Sequence, residues 1–237
     1  YVMYDSPSIG ATGRMLVYTP PGYDANSDKK YPVFYCISGT TDTEEVYFKV
    51  GRANFILDNL IASGKAEPMI VVMPYGNPAA YFAPGTELPK IDLFSEMLMK
   101  DIIPYVDKNY RTINDRLGRG IGGFSRGGAQ ALRNGLMNTD RFAWICSYSS
   151  GISANDFEKN YKAFYENPDK TNKDMKLLWL GVGNSDFLYN LATDFDDVLT
   201  KHRINHIFHV SSGGHTWMNA KLYLLETFQR LFKTTNY

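Results

Sequence analysis

An α/β protein with a mostly parallel central sheet and helices on both faces is the architecture this sequence predicts, and three observations predict it. Short apolar runs alternate with segments that carry apolar residues at helical spacing along most of the chain. Those runs are apolar nearly throughout, not at every second residue, as expected of strands buried on both faces. The pentapeptide Gly123-Phe124-Ser125-Arg126-Gly127 joins one such run directly to a helix-like segment.

Taken in order, Arg14 to Thr19 alternates as a short strand and is ended by Pro20-Pro21-Gly22. Tyr31 to Ile37 is an apolar strand that stops at Ser38-Gly39. Arg52 to Ser63 has helical spacing, with Gly64 as its stop. Pro68 to Met73 is a second buried strand closed by Pro74, and Tyr75 to Lys90 is a loop rich in Pro, Gly and aromatic residues. A long amphipathic helix over Ile91 to Asn109 follows, with a kink expected at Pro104. Leu117 to Gly123 is the strand entering the pentapeptide, and Gly127 to Met137 the helix leaving it. Phe142 to Tyr148 is a strand, and Ser149 to Asp174 a polar, irregular stretch. Lys176 to Val182, Leu188 to His202, Asn205 to Val210 and Trp217 to Phe232 complete a strand–helix–strand–helix series.

No repeat, low-complexity tract or long linker divides the 237 residues, so a single domain over 1–237 is expected. The chain opens at Tyr1 without methionine, which suggests a mature or excised domain. With 25 basic and 25 acidic residues the formal net charge is zero, which disfavours a nucleic-acid surface or an anionic membrane as partner. No apolar run approaches a membrane span, and no charged-then-apolar leader precedes the first strand. Cys36 and Cys146 both sit in apolar strands and are expected as buried free thiols, although a disulfide is not excluded by their spacing. Most aromatic residues, 14% of the chain, are expected in the core, with a minority left to line a pocket for a ring or a sugar.

The chemistry starts from Ser125. A G-x-S-x-G sequence between a strand and a helix is the setting of a nucleophile elbow, in which a tight turn lifts the serine above the sheet. The flanking glycines remove Cβ atoms that would collide, and Gly128 lets the helix pack close. In parallel sheets the ligand crevice lies beyond the carboxyl ends of the strands. There the segments Ser38 to Asp42, Ser125, Gly183 to Phe187 and Ser211 to Trp217 should converge. A serine hydroxyl needs a base. Of the four histidines, only His215, within Gly213-Gly214-His215-Thr216-Trp217, lies in a loop at a strand's carboxyl end. His206 and His209 fall within a strand and His202 at a helix end, where structural or solvated roles are expected. The i, i+4 spacing of His202 and His206 spans a helix break, so no metal site is expected. Asp186, directly after its strand, is the carboxylate placed to orient the base. Asp194, Asp196 and Asp197 fall inside the following helix and face solvent by pattern. The order Ser125, Asp186, His215 is that of the α/β-hydrolase fold. The Arg126 backbone N–H and the Thr40 backbone N–H are the expected oxyanion donors. Phe124, Tyr81, Phe82 and Trp217 are candidates for lining the substrate pocket. No cofactor is needed for this chemistry.

Several stretches resemble the feruloyl esterase and acetyl-xylan esterase domains of carbohydrate esterase family one, in the wider esterase D-like group. They are Val17-Tyr18-Thr19-Pro20-Pro21-Gly22-Tyr23, Gly51-Arg52-Ala53-Asn54-Phe55-Ile56-Leu57-Asp58-Asn59-Leu60-Ile61-Ala62, Asp101-Ile102-Ile103-Pro104-Tyr105-Val106 and Asn109-Tyr110-Arg111-Thr112, with the elbow and Gly213-Gly214-His215. The resemblance spans nearly the whole chain. It implies an α/β-hydrolase fold, a serine–aspartate–histidine site matching Ser125, Asp186 and His215, and feruloylated or acetylated xylan as substrate. It also implies a secreted or periplasmic setting, with carbohydrate-active modules as possible neighbours in a larger enzyme. In one place the sequence departs from the family. Where the family shows His-Gly before the oxyanion loop, this chain has Ser38-Gly39, followed by Thr40-Thr41-Asp42 in place of a glycine-rich turn. A backbone donor survives such a change, but the way the loop is held does not. The expected activity is removal of feruloyl groups, since flat rings suit an aromatic-rich rim. The alternatives are an acetyl-xylan esterase with the same residues, a carbohydrate-binding homologue with weakened catalysis, and an acyl transferase that excludes water.

Overall fold

The computed structural model describes residues 1–87 and 92–233. One eight-stranded sheet organises them: β1 (Val2–Ser6), β2 (Ala11–Tyr18), β3 (Val33–Ile37), β4 (Ile70–Pro74), β5 (Arg119–Phe124), β6 (Trp144–Tyr148), β7 (Leu177–Gly183) and β8 (Ile207–Ser211). Their spatial order is β1-β2-β4-β3-β5-β6-β7-β8. β2 runs antiparallel to both β1 and β4, and every other pairing is parallel. This is the α/β-hydrolase arrangement, with the chain crossing to β4 on one side of β3 and then to β5 and the later strands on the other.

The near-continuous apolar strands have the expected cause. Val33, Tyr35 and Ile37 of β3 enter one core while Phe34 and Cys36 enter the other, and β4 divides Ile70 and Val72 from Val71 and Met73 in the same way. Helices α1 (Val46–Lys49), α2 (Ala53–Ala62) and, at the end of the chain, α10 (Trp217–Phe228) cover one face through Tyr47, Leu57, Tyr223 and Phe228. The other face is covered by α3 (Leu93–Glu96), a π-helical segment (Met97–Ile102), α4 (Ile103–Asn109), α5 (Arg126–Met137), α6 (Ala154–Asn160), α7 (Lys162–Tyr165), α8 (Pro168–Asp174) and α9 (Tyr189–Lys201). Cys36 and Cys146 are buried free thiols on the strands that flank β5, both facing the second core, and burial pushes both well above the ordinary thiol range.

Three features differ from the sequence expectation. β1 is an additional edge strand, tied down where Ser6 Oγ donates to the buried Asp101 carboxylate at 2.6 Å. The helix expected over Ile91 to Asn109 has its first residue outside the described residues, as are the last three of the loop Tyr75 to Lys90. From Leu93 onward its disturbance lies before Pro104, not at it. The proline ring crowds the carbonyl four residues back and offers no N–H, and the wider π turn of Met97–Ile102 absorbs the mismatch. Finally, Ser149 to Asp174 is largely helical. Ser153 caps α6 by accepting from the Asp156 N–H, and Asn167 caps α8 by accepting from the Lys170 N–H with Pro168 in the first turn. Phe157 and Phe164 anchor these short helices in the core.

Candidate active site

At the carboxyl end of β5 the chain turns into α5 through Ser125, whose φ of 59° and ψ of −121° lie in a region almost reserved for glycine. The turn's neighbours explain how it can exist. A Cβ on Gly123 would lie 2.4 Å from the Gly127 carbonyl, and one on Gly127 would lie 2.1 Å from the Ile37 carbonyl oxygen. Gly128 is less tightly held, a Cβ there lying 2.9 Å from Ser150 Cβ and 3.0 Å from the Ser147 hydroxyl. Gly127→Ala is thus expected to force β3 and α5 apart, with a loss of about 3 kcal/mol of stability and of the turnover that depends on their spacing. Urea unfolding checks it, and a change below about 1 kcal/mol would show that the junction yields more easily than the distances imply.

The two loops beyond β7 and β8 are laced together. Ser185 N–H donates to Gly213 O at 2.9 Å, Asn184 N–H to Ser211 O at 2.8 Å, and Gly213 N–H to Asn184 Oδ1 at 3.2 Å. Gly213 adopts φ of 97°, closed to side chains, and Asn219 at the start of α10 donates to Ser211 Oγ and Ser212 O. This lacing delivers Asp186 to His215. His215 Nδ1 lies 3.0 and 2.9 Å from the two Asp186 carboxylate oxygens, and the carboxylate is fully buried. Asp186 Oδ1 also accepts from the Leu188 N–H at 2.8 Å, so the same side chain shapes the turn into α9. With Nδ1 bound to a carboxylate the proton sits there, which leaves Nε2 with its lone pair as an acceptor. The Phe124 ring packs on the imidazole at 4.6 Å between centroids and the Phe187 ring at 4.4 Å. Phe124, adjacent to Ser125, thereby sets the imidazole beside the elbow. Among the described residues no hydrogen bond joins Ser125 to His215, a contact that commonly tightens only when substrate binds.

The remaining histidines have other partners. His202 Nε2 pairs with Glu158 at 2.8 Å. His206, just ahead of β8, pairs with Asp196 at 2.6 Å. Asp196 is accordingly not simply solvent-facing as its helical pattern suggests, whereas Asp194 and Asp197 are exposed.

Of the pocket candidates, Phe124 and Trp217 come together at the imidazole. Their rings are 5.3 Å apart, and Trp217 packs edge-on against the buried Tyr47. Tyr81 and Phe82 pack at the periphery of the first core instead. The Tyr81 hydroxyl accepts from the Arg14 N–H, and its ring lies 5.6 Å from that of Tyr75.

In the loop after β3, Thr40 is exposed, and Ser38 Oγ accepts from the Gly76 N–H at 3.3 Å. Two contacts here carry no sequence signal. The Arg126 guanidinium donates to Gly39 O at 2.7 Å, and the Asp42 carboxylate is so close to Gly39 that a Cβ there would lie 2.8 Å from it. Burial raises the Asp42 pKa, countered by the Trp217 side chain, the Gly39 backbone and the charges of Arg126 and His215. The exposed Phe187 was likewise not singled out by the sequence, although its place next to Asp186 is a local cue.

Comparison with known proteins gives the family and the fold. The Esterase family model ("Putative esterase") matches residues 6–230. The endo-1,4-beta-xylanase/feruloyl esterase of Xylanibacter ruminicola is 31% identical over 189 residues, which are 75% of this chain and 26% of that protein. The endo-1,4-beta-xylanase Y of Acetivibrio thermocellus is 34% identical over 131 residues, 51% of this chain and 11% of that one. The chain therefore spans about a quarter or less of these relatives' lengths. A solved ferulic acid esterase superimposes with a TM-score of 0.83 at 25% identity, covering 98% of this chain and 96% of its own.

Proposed function

This chain belongs to the Esterase family, and on that premise we propose that it is a serine esterase that removes feruloyl groups from xylan. The observation that carries the reading is the buried Asp186 carboxylate bonded to His215 Nδ1 beside a serine held at φ of 59°. Ser125 Oγ attacks the ester carbonyl carbon and gives its proton to His215 Nε2. The Arg126 and Thr40 N–H groups receive the carbonyl oxygen as it becomes an oxyanion. His215 then protonates the departing sugar alkoxide, leaving the acyl group on Ser125. A water molecule, deprotonated by the same imidazole, attacks that ester and releases the acid, and the proton returns to Ser125. Asp186 stabilises the imidazolium in both halves.

Support for a hydroxycinnamoyl acyl group comes from the relatives named as feruloyl or ferulic acid esterases and from the aromatic surface that Phe124 and Trp217 build at the imidazole. The polymeric substrate implies action outside the cytoplasm. The fraction of the relatives that the chain spans suits a catalytic module working beside other carbohydrate-active units. Among the described residues no helix is long and apolar enough to cross a membrane. The test is a side-by-side assay with methyl ferulate and acetylated xylan. A higher kcat/KM on methyl ferulate is expected, and a preference of about a hundredfold or more for acetylated xylan would replace this substrate with its rival.

A further inference from the structure

The geometry points to the Arg126 side chain as a positioning residue that aims the second oxyanion donor. The inference rests on the esterase reading and concerns how the altered loop Ser38-Gly39-Thr40 is held. Gly39 C=O and Thr40 N–H belong to one peptide plane, and no peptide bond among the described residues is cis. In a trans peptide these two groups point in opposite directions. Whatever fixes the carbonyl therefore fixes the aim of the N–H.

Here the carbonyl is fixed by a charged donor, Arg126 Nη2 at 2.7 Å. Charge-assisted bonds of this kind are the stronger ones, and polarising the carbonyl also sharpens the N–H as a donor. No protein acceptor meets the Thr40 N–H among the described residues, so it is left for a ligand. The Asp42 carboxylate sits against Gly39 and also near the guanidinium, supplying it with a countercharge. One residue thus serves both halves of the site. The Arg126 backbone N–H stands beside Ser125 at the elbow, and its side chain reaches across to set the peptide that carries the other donor. The backbone N–H remains whatever the side chain is, so substitution isolates the side chain's share.

The test compares Arg126→Met and Arg126→Lys with the wild type on methyl ferulate, together with binding of benzeneboronic acid, which forms a tetrahedral serine adduct, and of free ferulate. In Arg126→Met kcat is expected to fall about thirtyfold, less than the ~10²–10³ of outright donor loss, with KM within about twofold. Boronate affinity should weaken by a similar factor while ferulate affinity stays unchanged. Arg126→Lys, which keeps a cationic donor, should recover part of the loss. The inference is overturned by kcat within about twofold of wild type, or by a rise in KM at constant kcat, which would make the guanidinium a ground-state substrate contact. It is equally overturned if both variants lose activity only in proportion to a fallen melting temperature. Wild-type turnover of methyl ferulate is the control. Without it the esterase reading itself fails, whereas turnover that ignores position 126 fails this inference alone.

Discussion

Ser125→Ala and Ser125→Gly each lower kcat on methyl ferulate by about 10⁵–10⁶, the scale at which a serine nucleophile's removal leaves only binding and the oxyanion site. The two variants are expected to part company in stability. At φ of 59° and ψ of −121° the serine occupies backbone space that costs ~1–3 kcal/mol for a residue with a Cβ. Alanine retains that Cβ and the strain. Glycine releases it, at the expense of ~0.5–1 kcal/mol of extra chain entropy in the unfolded state. Ser125→Gly should therefore be the more stable of the two by about 1 kcal/mol, read from urea unfolding at equal slope. An active Ser125→Ala would remove the nucleophile from the mechanism. A glycine variant less stable than the alanine one would show that the turn stores no strain.

That strain was legible in the sequence because its cause is local: two glycines, a serine and a strand-to-helix junction allow few backbone solutions. The strands buried on both faces were legible for a similar reason, since Val33–Ile37 and Ile70–Pro74 must satisfy two cores at once. What escaped depends on contacts that no short window contains. β1 is an edge strand, paired on one side only, and its anchor Asp101 is 95 residues from Ser6. Helices α6 to α8 are short and polar, held by two phenylalanines and side-chain caps, so their composition imitates a loop. The pairing of Asp196 with His206 turns a surface-patterned carboxylate inward. The bond from Arg126 to Gly39 joins residues 87 apart. The sequence could place both backbone donors, but the side chain that sets one of them becomes visible only when β3 and β5 lie side by side.

Asp186→Asn is expected to lower kcat about 10⁴-fold while leaving the fold nearly intact. The side chain is fully buried, and its Oδ1 already accepts from the Leu188 N–H that shapes the turn into α9. An asparagine can keep that bond only by directing its oxygen at Leu188 and its NH₂ at His215. The amide then donates to Nδ1, which forces the imidazole proton onto Nε2. Nε2–H faces the serine as a donor and cannot accept its proton, so attack loses its base although no atom has moved far. The buried charge that would stabilise the imidazolium is lost at the same time. Asp186→Ala should match it in activity but lose a further ~1–3 kcal/mol of stability, because the Leu188 N–H is left without its acceptor. Asp196→Asn is the control: its partner is His206, and turnover should stay within about twofold of wild type. If Asp186→Asn cost only about tenfold, the tautomer argument would fail, and the carboxylate would be serving the α9 turn more than the imidazole.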